Sequence, residues 1–371
     1  RNARIIGRRF KIVHLSFGRE IIEVTTFRAH HTVANEFDTD ESRQGIRGLD
    51  SAHSTDGMIL RDNVYGSINE DALRRDFTVN ALYYTINQFI IIDFAHGMDD
   101  LNDRLIRVIG DPETRYREDP VRLLRAIRFA AKLNFTIEPG TRAPMDRLAW
   151  LLESISPARL FDESIKLFTG GSAEATFSVL RQFKIAEYLF KATLDSTSDP
   201  ESPASRLVTL ALRNTDTRLA AGKSVTPAFL YAALLWPPLQ DALKAANADN
   251  PPGLVELQDA ASRVIMEQLQ RTAIPRRFTT AMREIWEMQS RLNPRSRRNV
   301  ETILAHPRFR AGYDFLLLRE EAGEDLGGLG QWWTDLQSAD RSLQETMMAE
   351  LDKRGPKKSK RRKPGRKDHN V

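Results

Sequence analysis

The 371-residue chain contains no cysteine, which excludes a disulfide framework and any cysteine-ligated zinc site. No run of about 18 consecutive apolar residues occurs, so no membrane span is expected. Nothing at the start has the layout of a signal peptide. Histidine is sparse, at 7 residues. His30-His31, His53 and His96 stand in polar or turn contexts without a helix-spaced pair, and read as surface histidines rather than metal ligands. The first residue is Arg1, not methionine, and the chain enters directly on a strand expected from Arg9 to Phe17. We therefore read it as lacking an N-terminal segment.

What charge there is sits unevenly. Lys and Arg number 55 against 50 acids, a formal net charge of +5. From Lys353 to Val371 there are ten Lys/Arg and one acid, leaving 45 against 49 for residues 1–352. The basic character is thus a property of the tail. Lys357, Lys358, Lys360, Arg361, Arg362 and Lys363 have no apolar neighbours to bury, so this segment is expected to be disordered. It suits an electrostatic arm for RNA phosphates; a merely solubilising end has the same composition.

Periodicity divides the rest. Phe10–Phe17 and Glu20–Phe27 read as strands around the turn Gly18-Arg19, and Phe89–Phe94 as another. Residues 71–84 read as one helix, and from about residue 99 the signals are almost wholly helical. The Ser-, Asp- and Pro-rich stretch Asp195–Ser205 reads as a linker, Asn250-Pro251-Pro252-Gly253 as a break, and Gly327–Gly330 as a turn.

Two stretches place charge where a purely structural helix would not: Arg74-Arg75-Asp76-Phe77-Thr78-Val79-Asn80-Ala81-Leu82, and Arg117-Glu118-Asp119-Pro120-Val121-Arg122-Leu123-Leu124-Arg125-Ala126-Ile127-Arg128-Phe129. In the second, Asp119-Pro120 reads as an N-cap followed by proline at the first helical position. Leu124, Ile127 and Ala131 then share one face, and Arg122, Arg125 and Phe129 another. A carboxylate only accepts hydrogen bonds and a guanidinium only donates them. Adenine and cytosine offer an amino donor beside a ring-nitrogen acceptor; guanine and uracil offer the reverse. An Asp119/Arg122 pair suits the first two bases and leaves buried polar groups unpaired with the others. The plain alternative is a helix cap and a surface ion pair.

Together with Ile22-Glu23-Val24-Thr25-Thr26-Phe27-Arg28 and Pro157-Ala158-Arg159-Leu160-Phe161-Asp162-Glu163, these stretches resemble, in order and spacing, successive motifs of the class II nucleotidyltransferases. That family comprises tRNA CCA-adding enzymes and bacterial poly(A) polymerases. Ile5-Ile6-Gly7-Arg8-Arg9-Phe10-Lys11 and the later His14 resemble the poly(A) polymerase branch. His96-Gly97-Met98-Asp99-Asp100-Leu101 resembles the family's glycine-rich turn, with His96 in place of the first glycine. The resemblance implies an α+β fold: a partial nucleotidyltransferase head of mixed strands and helices whose first part is missing, then all-α neck and body domains and a disordered basic tail. The expected divisions are a head over 1–98, a nucleotide- and RNA-binding neck over 99–195, a helical body over 205–350 and the tail over 351–371.

One family feature is missing. The transfer site should begin with a glycine-rich turn and a strand bearing two aspartates one residue apart, which bind the catalytic metals. Asp38-Thr39-Asp40 is present, but in a polar stretch after Glu23 and without a preceding glycine turn, so we do not take it as the replacement. The main metal ligands therefore stay unassigned. Joining a nucleoside monophosphate to an RNA 3′-hydroxyl needs metal ions to activate that hydroxyl and to neutralise pyrophosphate, and magnesium needs hard oxygen ligands.

The resemblance implies Asp76 and Glu23 as catalytic carboxylates. Glu23 interrupts an apolar strand, where a charge is costly without a partner. Arg74, Arg75, Asn80, Asp119, Arg122, Arg125 and Arg128 are implied as nucleotide-binding. Guanidinium groups bind phosphate oxygens bidentately, and Asn80 is expected to orient a neighbour. Trp332-Trp333 reads as core. Arginines 295, 297, 298, 308 and 310 read as either an RNA track or a charged helix face.

The expected activity is template-independent transfer of AMP from ATP to RNA 3′ ends with Mg²⁺, by a cytoplasmic monomer that also meets RNA-decay proteins. CCA addition to tRNA is one alternative. An RNA-binding protein without transferase activity is another, because the metal-binding aspartate pair is absent.

Overall fold

A computed structural model of the chain describes residues 2–6, 12–18, 20–29, 51–53, 59–62, 65–246, 253–293 and 296–353. The stretches Asp38-Thr39-Asp40 and His30-His31, Arg295 and the tail cations from Lys357 to Lys363 lie outside the described residues.

Strands β1 (Ala3–Ile6), β2 (Ile12–Phe17) and β3 (Glu20–Val24) form an antiparallel sheet in that order. Gly18, at φ 62°, provides the left-handed turn between β2 and β3. The register sets His14 opposite Glu23. A hairpin of β4 (Ser51–His53) and β5 (Ile59–Asp62) follows.

Helix α1 (Ile68–Arg74) starts with a capping box, Ser67 accepting from the Glu70 amide while Glu70 accepts from Ser67. It stops at Arg74, which corrects the helix expected over 71–84. Arg75 is extended at ψ 165°, Phe77 bridges to Val108, Thr78–Asn80 is a single 3₁₀ turn, and β6 (Leu82–Thr85) pairs with β7 (Ile90–Asp93). The reason is tertiary. The carbonyls of Arg74 and Arg75 are taken by a distant arginine, and Phe77 is fully buried. The expected strand Phe89–Phe94 corresponds to β7.

Helix α2 (Gly97–Asn102) follows, and its entry explains the glycine-rich turn. His96 sits at φ 58°, a conformation that favours glycine. A Cβ at Gly97 would run into the carbonyl oxygen of Thr78. Asp93 ties the turn by accepting from the amides of Ala95, Gly97 and Met98.

From here the described residues are helical apart from turns and one short parallel pair, β8 (Leu105–Ile106) with β9 (Thr136–Ile137). The helices around it are α3 (Pro112–Glu118), α4 (Val121–Leu133), α5 (Pro139–Arg142), α6 (Met145–Leu148), α7 (Pro157–Phe168), α8 (Ala173–Gln182) and α9 (Ala186–Asp195). Then come α10 (Pro203–Ala220), α11 (Pro227–Leu234), α12 (Trp236–Ala246), α13 (Leu254–Arg271), α14 (Arg276–Arg291), α15 (Arg297–Leu304), α16 (Phe309–Glu321), α17 (Leu329–Ser338) and α18 (Arg341–Lys353).

One hydrophobic core runs from Phe77 to Ala322 and continues across the connection between α9 and α10. The stretch read as a linker is a turn that Asp199 and Ser202 organise by hydrogen bonds, and the helices on either side of it pack into the same core. A second core forms around Trp333, whose indole N–H donates to the Leu292 carbonyl at 2.7 Å. Gly327 and Gly328 form a left-handed turn before α17.

Candidate functional site

Helices α3 and α4 meet at Glu118-Asp119-Pro120, and the segment leaving α1 lies against this junction. Pro120 has helical dihedrals, φ −57° and ψ −22°, and the Asp119 carboxylate accepts from the Val121 amide at 3.2 Å. The N-cap of α4 is thus Pro120, one residue later than the sequence suggests, while Asp119 ends α3 and its carboxylate reaches the first amide of α4. Val121, Arg122, Leu123, Leu124, Ala126 and Ile127 are all buried on α4, so Arg122 lies within the packed side of the helix.

The centre is Asp76. Its Oδ1 accepts from Arg122 Nε at 2.7 Å and its Oδ2 from Arg125 Nη1 at 2.6 Å. Burial pushes the Asp76 carboxyl up, but the facing Arg122 and Arg125 guanidiniums more than offset it and hold it below the usual carboxylate range. Arg122 goes on to donate from Nη1 to Glu118 at 3.0 Å and to the Arg115 carbonyl at 2.6 Å. Arg125 lies 3.9 Å from Asp119 and 3.8 Å from the buried Glu163 of α7. Each buried cation therefore has carboxylate partners, as the cost of burying charge requires.

Arg115, which no sequence motif singled out, fixes the backbone of the Arg74-Arg75-Asp76 stretch. Its Nη2 donates to the carbonyls of Arg74 and Arg75, both at 2.8 Å, and its Nη1 to Glu118 at 2.7 Å. These carbonyls are left open where α1 ends. The only trace in the sequence is the Arg115/Glu118 spacing of i, i+3, a pattern shared by many surface helices.

Asp119 and Arg122 are brought to one junction but bonded to different groups. Asp119 Oδ2 accepts from Arg159 Nη2 at 2.7 Å, whereas Arg122 serves Asp76 and Glu118. Arg122 turns toward the core and the Arg74-Arg75-Asp76 stretch, while Asp119 faces α7. Arg159 belongs to the Pro157–Glu163 motif, where the sequence suggested no role for it. The structure places it at the site.

Around Arg74-Arg75-Asp76, Asp71 is buried and accepts from Tyr83 Oη at 2.6 Å, the Arg28 amide at 3.1 Å and Arg75 Nε at 3.4 Å. Tyr83 is pushed up to about 12 by burial and by its bond to Asp71. Arg75 also donates to Tyr83 Oη and to the Asn80 carbonyl, both at 3.1 Å, and lies over the Tyr83 ring. Arg74 lies 3.9 Å from Asp71. Asn80 Oδ1 accepts from the Phe77 amide at 3.1 Å, so Asn80 holds the turn that follows Asp76. Arg128, over the Phe129 ring at 4.6 Å, has no ion pair among the described residues and a buried Nε without a hydrogen-bond partner.

Glu23 stands apart from this cluster: it is exposed and pairs with His14 Nε2 at 2.9 Å. Among the described residues no group of three or more His, Asp or Glu side chains could hold a metal ion. Both Asp76 oxygens are committed to guanidiniums and Glu23 faces a histidine. The described side chains therefore do not fit a magnesium site. Trp333 is fully buried, as read from the sequence. Arg297, Arg308 and Arg310 pair with Glu301, Glu284 and Asp314, the pattern of a charged helix face.

Three family profiles match the chain: “Poly A polymerase head domain” over residues 1–107, “Probable RNA and SrmB- binding site of polymerase A” over 134–196, and “Polymerase A arginine-rich C-terminus” over 251–367. Poly(A) polymerase I of Escherichia coli O157:H7 is 44% identical over 368 residues, 98% of this chain and 77% of that protein. Poly(A) polymerase I of Haemophilus influenzae is 41% identical over 364 residues, 97% of this chain and 78% of that protein. A CCA-adding enzyme of Limosilactobacillus fermentum is 43% identical over 119 residues, 32% of this chain and 30% of its own length. Among solved structures, a CCA-adding enzyme in apo form II matches with TM-score 0.53 and 19% identity over 96% of this chain and 80% of that one. This last likeness shows the fold.

Proposed function

The chain belongs to the bacterial poly(A) polymerase family, and from that premise we propose how its residues divide the work. It is a nucleotidyltransferase that adds AMP from ATP to RNA 3′ ends without a template. The observation that carries this reading is the meeting of two motifs, 46 positions apart, in the ion pair of Arg122 with Asp76.

In our reading Arg74 and Arg75 contact the triphosphate, with Arg75 aimed by Asp71, Tyr83 and the Asn80 carbonyl. Arg125 and Arg128 are the further cations for the nucleotide. Asp119 accepts from the adenine amino group, and Arg122 donates to the ring nitrogen once its present bonds loosen. Asp76 orients Arg122 and Arg125 and keeps their charge compatible with a buried site.

Members of this family work with a nucleoside triphosphate and a divalent metal; magnesium, whose chemistry would be activation of the 3′-hydroxyl and neutralisation of pyrophosphate, is part of this proposal. We derive no step through it, since the described side chains do not fit it. We also propose a monomer in the cytoplasm, with protein partners at 134–196, where the matching family profile names one. Among the described residues, no helix is long and apolar enough to cross a membrane.

The test is primer extension by the protein expressed from its natural gene, with a single-stranded RNA, Mg²⁺ and one nucleotide at a time. We expect a ladder with ATP and little extension with CTP, GTP or UTP. Addition limited to two C and one A on a tRNA end would overturn this in favour of the CCA-adding reading.

A further inference from the structure

Helices α4 and α7 lie side by side and leave the nucleotide site together. Arg159, near the start of α7, reaches Asp119 just before α4. One step further out Arg125 faces Glu163, and near the far ends the Lys132 side chain lies against Gly170, where a Cβ would sit 3.9 Å from its Cδ. From Arg125 to Lys132 is about 10 Å along the helix axis at 1.5 Å per residue.

Along this line the balance of charge changes. At the site Asp76, Asp119 and Glu118 face the arginines. Beyond Arg125, among the described residues, the one acid paired with the row is Glu163, 2.9 Å from Lys166. Arg128 and Lys132 have no ion pair among the described residues, and Lys132 and Lys166 are exposed. The strip is therefore net positive, open to solvent, and continuous with the place where a nucleotide would be joined.

We propose that Lys132 and Lys166 hold backbone phosphates of single-stranded RNA just behind its 3′ end, so that the α4–α7 face is the track along which the growing end leaves the site. This rests on the reading of the site as a poly(A) polymerase centre. A template-independent enzyme gains nothing from reading the bases behind the end, and lysine, a flexible point charge, suits a phosphate that shifts by one position per cycle. The plain alternative is that both lysines only complement the dipole in the last turns of their helices.

The experiment is a titration of labelled single-stranded oligoadenylate at several salt concentrations against the wild-type chain, Lys132→Ala/Lys166→Ala, and Lys223→Ala/Lys244→Ala, an equal charge loss at exposed positions outside the matched family profiles. Circular dichroism verifies that each variant is folded. For the first variant we expect roughly threefold weaker binding and a flatter log K against log salt, by about 0.7 for each phosphate that is no longer held. ATP affinity and the behaviour of the second variant should match wild type. An unchanged slope in the first variant, or equal losses in both, would overturn the track while leaving the polymerase reading intact. Failure of the wild-type chain to bind RNA at all would remove the polymerase reading and the track with it.

Discussion

Arg122 Nε donates to Asp76 Oδ1 at 2.7 Å across 46 positions of sequence, joining the segment after α1 to the buried face of α4. Asp76 takes Arg125 on its other oxygen, so one carboxylate balances two guanidiniums. The pair is mostly buried, and its partners Glu118 and Arg115 extend the alternation of charge back to the Arg74 and Arg75 carbonyls. What holds the two motifs together is thus an ionic chain in which no member can be removed without stranding another.

Asp76→Asn should destabilise the protein by about 3 kcal/mol, because it leaves two buried guanidiniums facing an amide. The wild-type carboxyl is held below the usual range in the folded state. Its contribution is therefore fully present above the unfolded value of about 4 and is lost as pH falls through the lower folded value. Urea denaturation from pH 7 down to pH 3 measures both. If the variant and wild type lose stability in parallel over the acid range, Asp76 is not the group responsible.

Base choice separates Asp119 from its holder. Asp119→Ala should reduce the preference for ATP over GTP, by an amount on the order of 1–3 kcal/mol for a good bidentate base contact. Arg159→Ala should weaken the same preference less, since the acceptor remains but loses the guanidinium that fixes it at 2.7 Å. Competitive binding of the two nucleotides gives the ratio. Intact selectivity in Asp119→Ala, with only a lower melting temperature, would reduce Asp119 to a structural link between α3, the first amide of α4 and Arg159.

Deleting residues 354–371 removes the basic run that follows α18. RNA binding at low salt should weaken, and its salt dependence should flatten by about 0.7 in log–log slope for each phosphate that the tail had neutralised. ATP binding should be unaffected, because its candidate residues lie between α1 and α7 against the core that runs from Phe77 to Ala322, whereas α18, which precedes the tail, packs in the second core around Trp333. Oligomer titrations with and without the tail check this. A slope equal to that of the intact chain means the tail touches no RNA.

Much of this was legible in the chain alone. Short runs rich in β-branched and aromatic residues marked β2, β3 and β7, and the Asp119-Pro120 pair marked the junction before α4, because strand preference and the proline ring act between near neighbours. Charged residues set among apolar ones marked Asp76, Arg122 and Arg125, since such placements are costly without partners. What tertiary structure decided was which partner each charge found. The reading of 71–84 as one helix failed because Arg115 takes the carbonyls that the helix would have used, and Phe77 leaves it to enter the core. Asp119 looked suited to act with Arg122, yet the former is bound by Arg159 from α7 and the latter by Asp76. The linker read at 195–205 is polar by composition, but the helices on both sides share one core. Local patterns fix elements because their forces span a few residues; ion pairs and core packing join groups 40 or more positions apart, and only the folded chain brings them within hydrogen-bond distance.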